Sequence, residues 1–264
     1  MIKICVAGAD GRMGRAVIEE AVTRGFAVVG AVEAPNSPKI GKTLREAGIC
    51  GLDTIIVDPT KIDVATKEAD VYVSFTTPDA EMSNIPAVAN LGKRIVMGTT
   101  GFTEQQYQKL KDEVSKKVPA VFSPNYAIGV NVVLRMMKVL TMLPADYDFS
   151  ITEVHHIGKK DAPSGTAKAL GNAITPARGY RSVVYGREGI APRKREELEI
   201  LSVRAGGVPG IHDVIAAGPH EMIRVEHVAF SRRVFAQGAL YAVEWISKQT
   251  KPGVYSMDDI LGFC

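Results

Sequence analysis

The sequence predicts an α/β chain: a doubly wound parallel sheet at the amino end, then an α+β domain on a mostly antiparallel sheet. Three observations predict it. The chain opens as strand, glycine turn and helix over residues 2–22. Strand and helix patterns then alternate as far as Phe122. Beyond Ser182, strand-like segments follow one another with few helical patterns between them.

Residues 2–7 are an apolar run of the kind found in buried parallel strands, and 15–22 carry helical spacing. Between them, Gly8-Ala9-Asp10-Gly11-Arg12-Met13-Gly14 reads G-x-x-G-x-x-G. That is one residue more between the first two glycines than the usual dinucleotide form. Glycines let the backbone approach a pyrophosphate, whose charge then rests on the helix N-terminus. The strand–turn–helix context makes the opening Rossmann-like, with Gly8, Ala9, Asp10, Gly11, Arg12 and Met13 as candidate cofactor contacts.

The second strand, 27–33, ends in Glu33, about 20 residues past the glycines, where a carboxylate accepts hydrogen bonds from an adenosine ribose. Residue 34 is alanine, so no adjacent guanidinium offsets the repulsion of a 2′-phosphate. NADH is therefore expected to be preferred over NADPH, although Lys39 and Lys42 lie near enough in sequence to blunt the preference. Gly41-Lys42-Thr43 resembles the end of a phosphate-binding loop. Position 36 is asparagine and no strand precedes it, so the resemblance is set aside.

Residues 70–76 read as a strand and 77–91 as a helix; 94–97 form another strand, ending in Gly98-Thr99-Thr100. Thr103 and Gln106 have the form of a capping box, opening a helix to about residue 117. A short strand, 120–122, precedes Ser123-Pro124-Asn125-Tyr126. Loops after successive parallel strands open at one sheet edge, where such sheets bind ligands. Gly98, Thr99, Thr100, Ser123, Pro124, Asn125 and Tyr126 are thus candidates to line the nicotinamide end. Each loop taken singly is also an ordinary strand-end turn. Residues 128–143 read as an apolar helix and 238–249 as a final helix, closed by Pro252.

The most chemically loaded stretch is 153–167. It places His155, His156, Lys159 and Lys160 beside a Ser164-Gly165-Thr166 turn. Ser164 reads as the N-cap of a helix beginning near Thr166. A helix N-terminus with a lysine and a histidine beside it suits an anion and can deliver a proton. Adjacent histidines on a strand point to opposite faces, so one of the pair also reads as packed or solvated.

Of the 264 residues, 46% are hydrophobic and 23% charged, enough for a sizeable core. A net charge of +3 gives no argument for a nucleic acid or membrane partner. Cys5, Cys50 and Cys264 lack any paired spacing, so neither a disulfide framework nor a metal site is expected, and a reducing, cytoplasmic home is. No signal-peptide pattern opens the chain, and no apolar run approaches the ~20 residues of a membrane helix.

The glycine loop, Gly98-Thr99-Thr100-Gly101-Phe102, residues 123–131 and residues 153–167, in that order, resemble the dihydrodipicolinate reductase family. The histidine motif is the specific part; the glycine loop alone is not. The resemblance implies a dinucleotide domain over 1–126 and 237–264, and a substrate-binding and oligomerisation domain over 127–236. It implies a homotetramer acting on a small dicarboxylate. It also implies His155 as catalytic acid/base, Lys159 as proton donor, and His156, Gly165 and Thr166 as substrate contacts, with Arg232 assisting. Family members often carry arginine after the Glu33 position, and Ala34 departs from that.

The implied reaction is hydride transfer from NADH or NADPH to a cyclic imine dicarboxylate. It leaves electron density that a positioned acid protonates, a contribution of roughly 10²–10⁴-fold. Hydride donor and acceptor carried on different domains imply closure on binding. A dehydrogenase of an amino-acid semialdehyde is an alternative, but a thioester mechanism needs a nucleophilic cysteine, and the three here are poorly placed. A non-catalytic NAD(H) sensor is the other alternative; it would need the glycine loop but not residues 155–166.

Overall fold

The structure, a computed structural model, describes residues 1–263; Cys264 lies outside the described residues. The chain divides into two compact units, Met1–Ala127 with Arg233–Cys264, and Ile128–Arg232.

The first unit begins with β1 (Lys3–Ala7), α1 (Arg12–Thr23), β2 (Ala27–Val32), β3 (Ile56–Val57) and α2 (Ile62–Thr66). It continues with β4 (Val71–Ser74), α3 (Pro78–Asn90), β5 (Arg94–Met97), α4 (Glu104–Val114) and β6 (Pro119–Phe122). The second unit contains α5 (Ile128–Leu140), β7 (Asp148–His155), α6 (Gly165–Arg178), β8 (Ser182–Val184), β9 (Glu197–Arg204), β10 (Gly210–Ala217) and β11 (Met222–Ala229). The chain then returns to the first unit with α7 (Arg233–Ile246), β12 (Gly253–Tyr255) and α8 (Met257–Leu261).

The first unit is a seven-stranded sheet in the order β12-β6-β5-β4-β1-β2-β3, with every pairing between named strands parallel. Helices cover both faces, which is why its strands are continuous apolar runs. β1 lies between β2 and β4, so the winding reverses there, and the carboxyl ends of these strands frame the crevice where such sheets take ligands. The capping box at Thr103 and Gln106 forms.

Several details differ from the sequence expectations. α1 starts at Arg12, so Arg12 and Met13 belong to its first turn and not to the loop. α7 starts at Arg233, ahead of the expected return at Gln237, because its buried stripe already includes Ala236. β3 and β12 are edge strands of two and three residues, too short to show a period. Gly41-Lys42-Thr43 lies in an irregular stretch between β2 and β3.

The second unit's sheet runs β11-β10-β7-β9-β8. β10 is antiparallel to β7 and β11, whereas β7 and β8 both run parallel to β9. The sheet is therefore mixed, not mostly antiparallel. The cause is α6: a crossover helix after β7 returns the chain so that β8 runs in the same direction, and β9 inserts between them. Phe149, Ile151, Leu198, Ile200, Val214 and Ala216 pack one face against Val133 and Met137 of α5 and Leu170 and Ile174 of α6.

Candidate active site

In the second unit the apolar core face becomes polar at one end. Alternation along β7 puts Glu153 and His155 on the same face as Ile151, and all three are buried. Glu153 is fully buried, yet every lone-pair direction is used. Arg204 forks onto it with two bonds of 2.9 Å, Ser164 donates its N–H at 3.1 Å, and His155 Nδ1 lies 2.5 Å from Oε2. Burial pushes the Glu153 carboxyl up, but the Arg204 and His155 hydrogen bonds outweigh it and hold the pKa at about 2.

The ionised Glu153 fixes the Nδ1–H tautomer of His155 and leaves Nε2 as the ring's acceptor nitrogen. Burial pushes the imidazole below its ordinary range, Glu153 draws it back in part, and nearby Lys159 and Arg204 push it down again. A Cβ at position 210 would lie 3.1 Å from Nε2, so Gly210 keeps that atom's surroundings open. Lys159 follows in the turn after β7; its Nζ donates to Asp161 Oδ1 at 2.8 Å, and Asp161 is held low by it. Arg204 also bonds the Asp161 carbonyl at 2.6 Å, tying this turn to the Glu153 lock.

Ser164 caps α6 as expected, its Oγ accepting from the Ala167 N–H at 3.1 Å. The same Oγ lies 2.9 Å from His212 Nε2. Across the sheet, Glu153 pairs in register with His212, and His212 with His227. The His155 and His212 rings meet edge-on at 5.1 Å between centroids. Burial, then the neighbouring His155, takes His212 down to about 4, so it is neutral at physiological pH. Gly165 and Thr166 open α6 immediately beyond Ser164, with Gly165 exposed. His156 is half-buried just past the strand end, and among the described residues no hydrogen bond joins its ring to this network. Arg232 is exposed.

Sequence reasoning passed over Glu153 as a strand residue and missed Arg204, His212 and His227. The alternation Glu153-x-His155 was a usable signal. Arg204 and the other histidines become neighbours only through strand register, which no spacing reveals.

In the first unit, Gly8 takes φ +73°, and a Cβ there would sit 2.4 Å from the Phe75 carbonyl oxygen. A Cβ at Gly14 would lie 1.9 Å from the Gly8 oxygen. These glycines are required by close backbone approach. Gly11, the N-cap of α1, makes no side-chain cap, so the helix's first turn offers N–H groups to an anion, with exposed Arg12 on that turn. Glu33, at the end of β2, accepts from the Asp10 N–H at 2.7 Å and the Ala34 N–H at 2.9 Å, and Asp10 pairs with Arg15. Lys39 donates to the Ala47 carbonyl at 3.0 Å.

At the carboxyl edge, Gly98 packs on the Phe75 ring, leaving no room for a Cβ. Thr99 and Ser123 are buried; Ser123 Oγ bonds the Asn125 carbonyl at 2.8 Å, and Asn125 Oδ1 accepts from Ala127 at 2.9 Å. Thr100 and Pro124 are exposed. Tyr126 is placed otherwise than as a cofactor-facing side chain: it is 1% exposed and its hydroxyl donates to the Met97 carbonyl at 2.8 Å. Only its main chain is left for a ligand. Glu81 of α3, unremarked in the sequence, is fully buried behind these loops, and burial raises its pKa. Cys5 is buried in β1 with its thiol pushed up to about 12, which rules it out as a nucleophile.

Residues 2–126 match the family model described as dihydrodipicolinate reductase, N-terminus, and residues 129–261 the one described as dihydrodipicolinate reductase, C-terminus. The chain belongs to the dihydrodipicolinate reductase family. It is 42% identical over 266 residues to the 4-hydroxy-tetrahydrodipicolinate reductase of Methanosarcina barkeri, covering 99% of this chain and 100% of that protein. The enzyme of the same name from Methanosarcina mazei is 41% identical over 264 residues, covering 99% and 100%. Among solved structures, the dipicolinate-bound dihydrodipicolinate reductase of Paenisporosarcina sp. TG-14 superposes with a TM-score of 0.74 at 23% identity, over 97% of both chains, and so shares the fold. The family places the chain among NAD(P)H-dependent oxidoreductases, with a nicotinamide dinucleotide-binding fold in the first unit.

Proposed function

We propose that this chain reduces 4-hydroxy-tetrahydrodipicolinate to tetrahydrodipicolinate in the diaminopimelate route to lysine, the first unit taking the dinucleotide and the second the substrate. The observation that carries the reading is the Glu153–Arg204 lock on His155, beside Lys159 and the start of α6. A fully buried carboxylate, held ionised by Arg204 and bonded to one imidazole, is an arrangement for proton chemistry.

The first unit's residues fit a dinucleotide: a glycine cradle where Cβ atoms would clash, an uncapped helix start, and a pinned carboxylate at the end of β2. The cofactor, when bound, supplies the hydride. In the second unit the N-terminus of α6 at Gly165 and Thr166 receives one substrate carboxylate, with His156 and Lys159 adding hydrogen-bond donors. The 4-hydroxyl leaves as water to give the conjugated cyclic imine that accepts the hydride, and Lys159 supplies the proton to the atom next to the reduced carbon. His155, held by Glu153, turns Nε2 toward the ring and stabilises the charge that develops there.

Glu33 favours NADH. Its carboxylate is fixed by two backbone N–H groups, residue 34 brings no guanidinium, and Lys39 is engaged with Ala47. Free Cys5 and Cys50 suit a reducing, cytoplasmic setting. A homotetramer is supported by the second unit's sheet, whose face turned away from α5 and α6 exposes Leu201, Val203 and Val228. The deciding experiment follows dinucleotide oxidation with freshly prepared 4-hydroxy-tetrahydrodipicolinate. Turnover with NADH at a higher kcat/KM than with NADPH is expected. No turnover with either sinks the proposal, and a strong NADPH advantage overturns the reading of Glu33.

A further inference from the structure

A carboxyl group buried in a sheet-and-helix core costs solvation that an apolar residue would not, so what it holds is informative. Glu81 is such a group, with none of its surface exposed. Its Oε1 accepts from three hydroxyls: Ser74 at the end of β4, Thr76 at 2.6 Å in the loop after β4, and Thr99 at 2.6 Å in the loop after β5. Thr99 Oγ1 in turn accepts the Thr76 N–H at 2.8 Å. The loop after β1 closes on the same place, since Gly8 abuts the Phe75 carbonyl and Gly98 the Phe75 ring. One buried oxygen therefore ties together the loops that frame the carboxyl edge of the sheet.

The direction of these bonds matters more than their number. A hydroxyl has one hydrogen. Thr76 and Thr99 both spend theirs on Glu81, so toward any ligand they are acceptors only. Thr99 Oγ1 has already filled one acceptor position with the Thr76 N–H, whereas the Thr76 side chain is half-exposed and keeps its acceptor capacity. Without Glu81 the Thr99 hydroxyl loses its acceptor and the Thr76 hydroxyl keeps only the Thr77 carbonyl at 3.4 Å, so both become able to donate to a ligand.

We propose that Glu81 is a positioning residue that sets ring specificity at the dinucleotide site: by holding Thr76 and Thr99 as acceptors, it selects a cofactor ring bearing an amide N–H donor. The inference rests on the reading above that these loops receive the nicotinamide end.

The test compares dissociation constants for NADH and for reduced 3-acetylpyridine adenine dinucleotide, whose ring substituent accepts but cannot donate. Unaltered protein is expected to favour NADH by about tenfold, the worth of one hydrogen bond to a buried partner. Glu81→Gln retains a carbonyl oxygen for the three hydroxyls and should keep that ratio within about twofold. Glu81→Ala should weaken NADH binding and bring the ratio near one. Thr76→Val, a change of similar volume on a half-exposed side chain, covers the case in which the alanine variant does not fold, and should also lower the ratio. A ratio unchanged in Thr76→Val, or NADH and the analogue weakened equally in Glu81→Ala, overturns the inference. Failure of the unaltered protein to bind NADH or NADPH sinks the dinucleotide reading itself, and this inference with it.

Discussion

His155 carries two opposing instructions. Burial, Lys159 and Arg204 disfavour its proton, while Glu153 favours it, and the balance leaves the imidazole below its ordinary range. A bound dicarboxylate changes that balance, because negative charge within a few ångströms stabilises the imidazolium. The sign follows from linkage. If the ligand raises the His155 pKa, binding takes up protons, and affinity strengthens as pH falls through the raised pKa, levelling below the free one. Pyridine-2,6-dicarboxylate should therefore bind more tightly at about pH 6 than at about pH 8, with proton uptake seen by calorimetry in buffers of different ionisation heat. His212, at about 4, titrates below this window and does not blur it. His155→Gln should flatten the profile; an undiminished slope in that variant would assign the proton elsewhere.

At the scale of elements, α6 joins fold to site. Ser164 does three things at once: its Oγ caps the helix at Ala167, the same Oγ meets His212 Nε2, and its N–H completes the Glu153 shell. Ser164→Ala keeps the last and loses the other two. The cap is worth about 1 kcal/mol, and a buried histidine left unpaired costs about as much again. Hydrogen exchange at residues 165–168 should accelerate by about tenfold or more, with a fall in kcat/KM, while exchange in α1 of the first unit stays as it was. Equal protection in α6 would show that Ser164 is a spectator. The sequence announced this helix and its cap through Pro163-Ser164-Gly165, and the glycine loop and capping box were equally plain, because each depends on neighbours within a few residues. Arg204, His212 and Glu81 were silent. Their meaning comes from cross-strand register and from which helix face is buried, neither of which is encoded by local spacing. The mixed sheet was misread for the same reason: the direction of β8 depends on the α6 crossover and that of β9 on the 185–196 connection, and each strand alone has no direction to read.

For the whole molecule, the question is what covers the second unit's open sheet face. α5 and α6 cover the face bearing Phe149, Ile151 and Val214. The opposite face carries Val154, Leu201, Val203, Ile215 and Val228, with Leu201, Val203 and Val228 at 37%, 43% and 38% exposure. A sheet with apolar side chains on both faces needs a second layer, and no helix of this unit lies on that side among the described residues. On the homotetramer reading proposed above, copies of this face would cover one another, with Arg224 and Glu226 of β11, 3.3 Å apart within the chain, at the rim. Paired Leu201→Lys and Val203→Lys substitutions place ammonium groups in that contact, where burial without partners is costly. Sedimentation velocity should show the unaltered protein at four-chain mass and the double variant in smaller species. NADH binding, a property assigned to the first unit, should survive in the variant. An unaltered protein that sediments as one chain, or a double variant that remains fully assembled, would mean that this face is not where the copies meet.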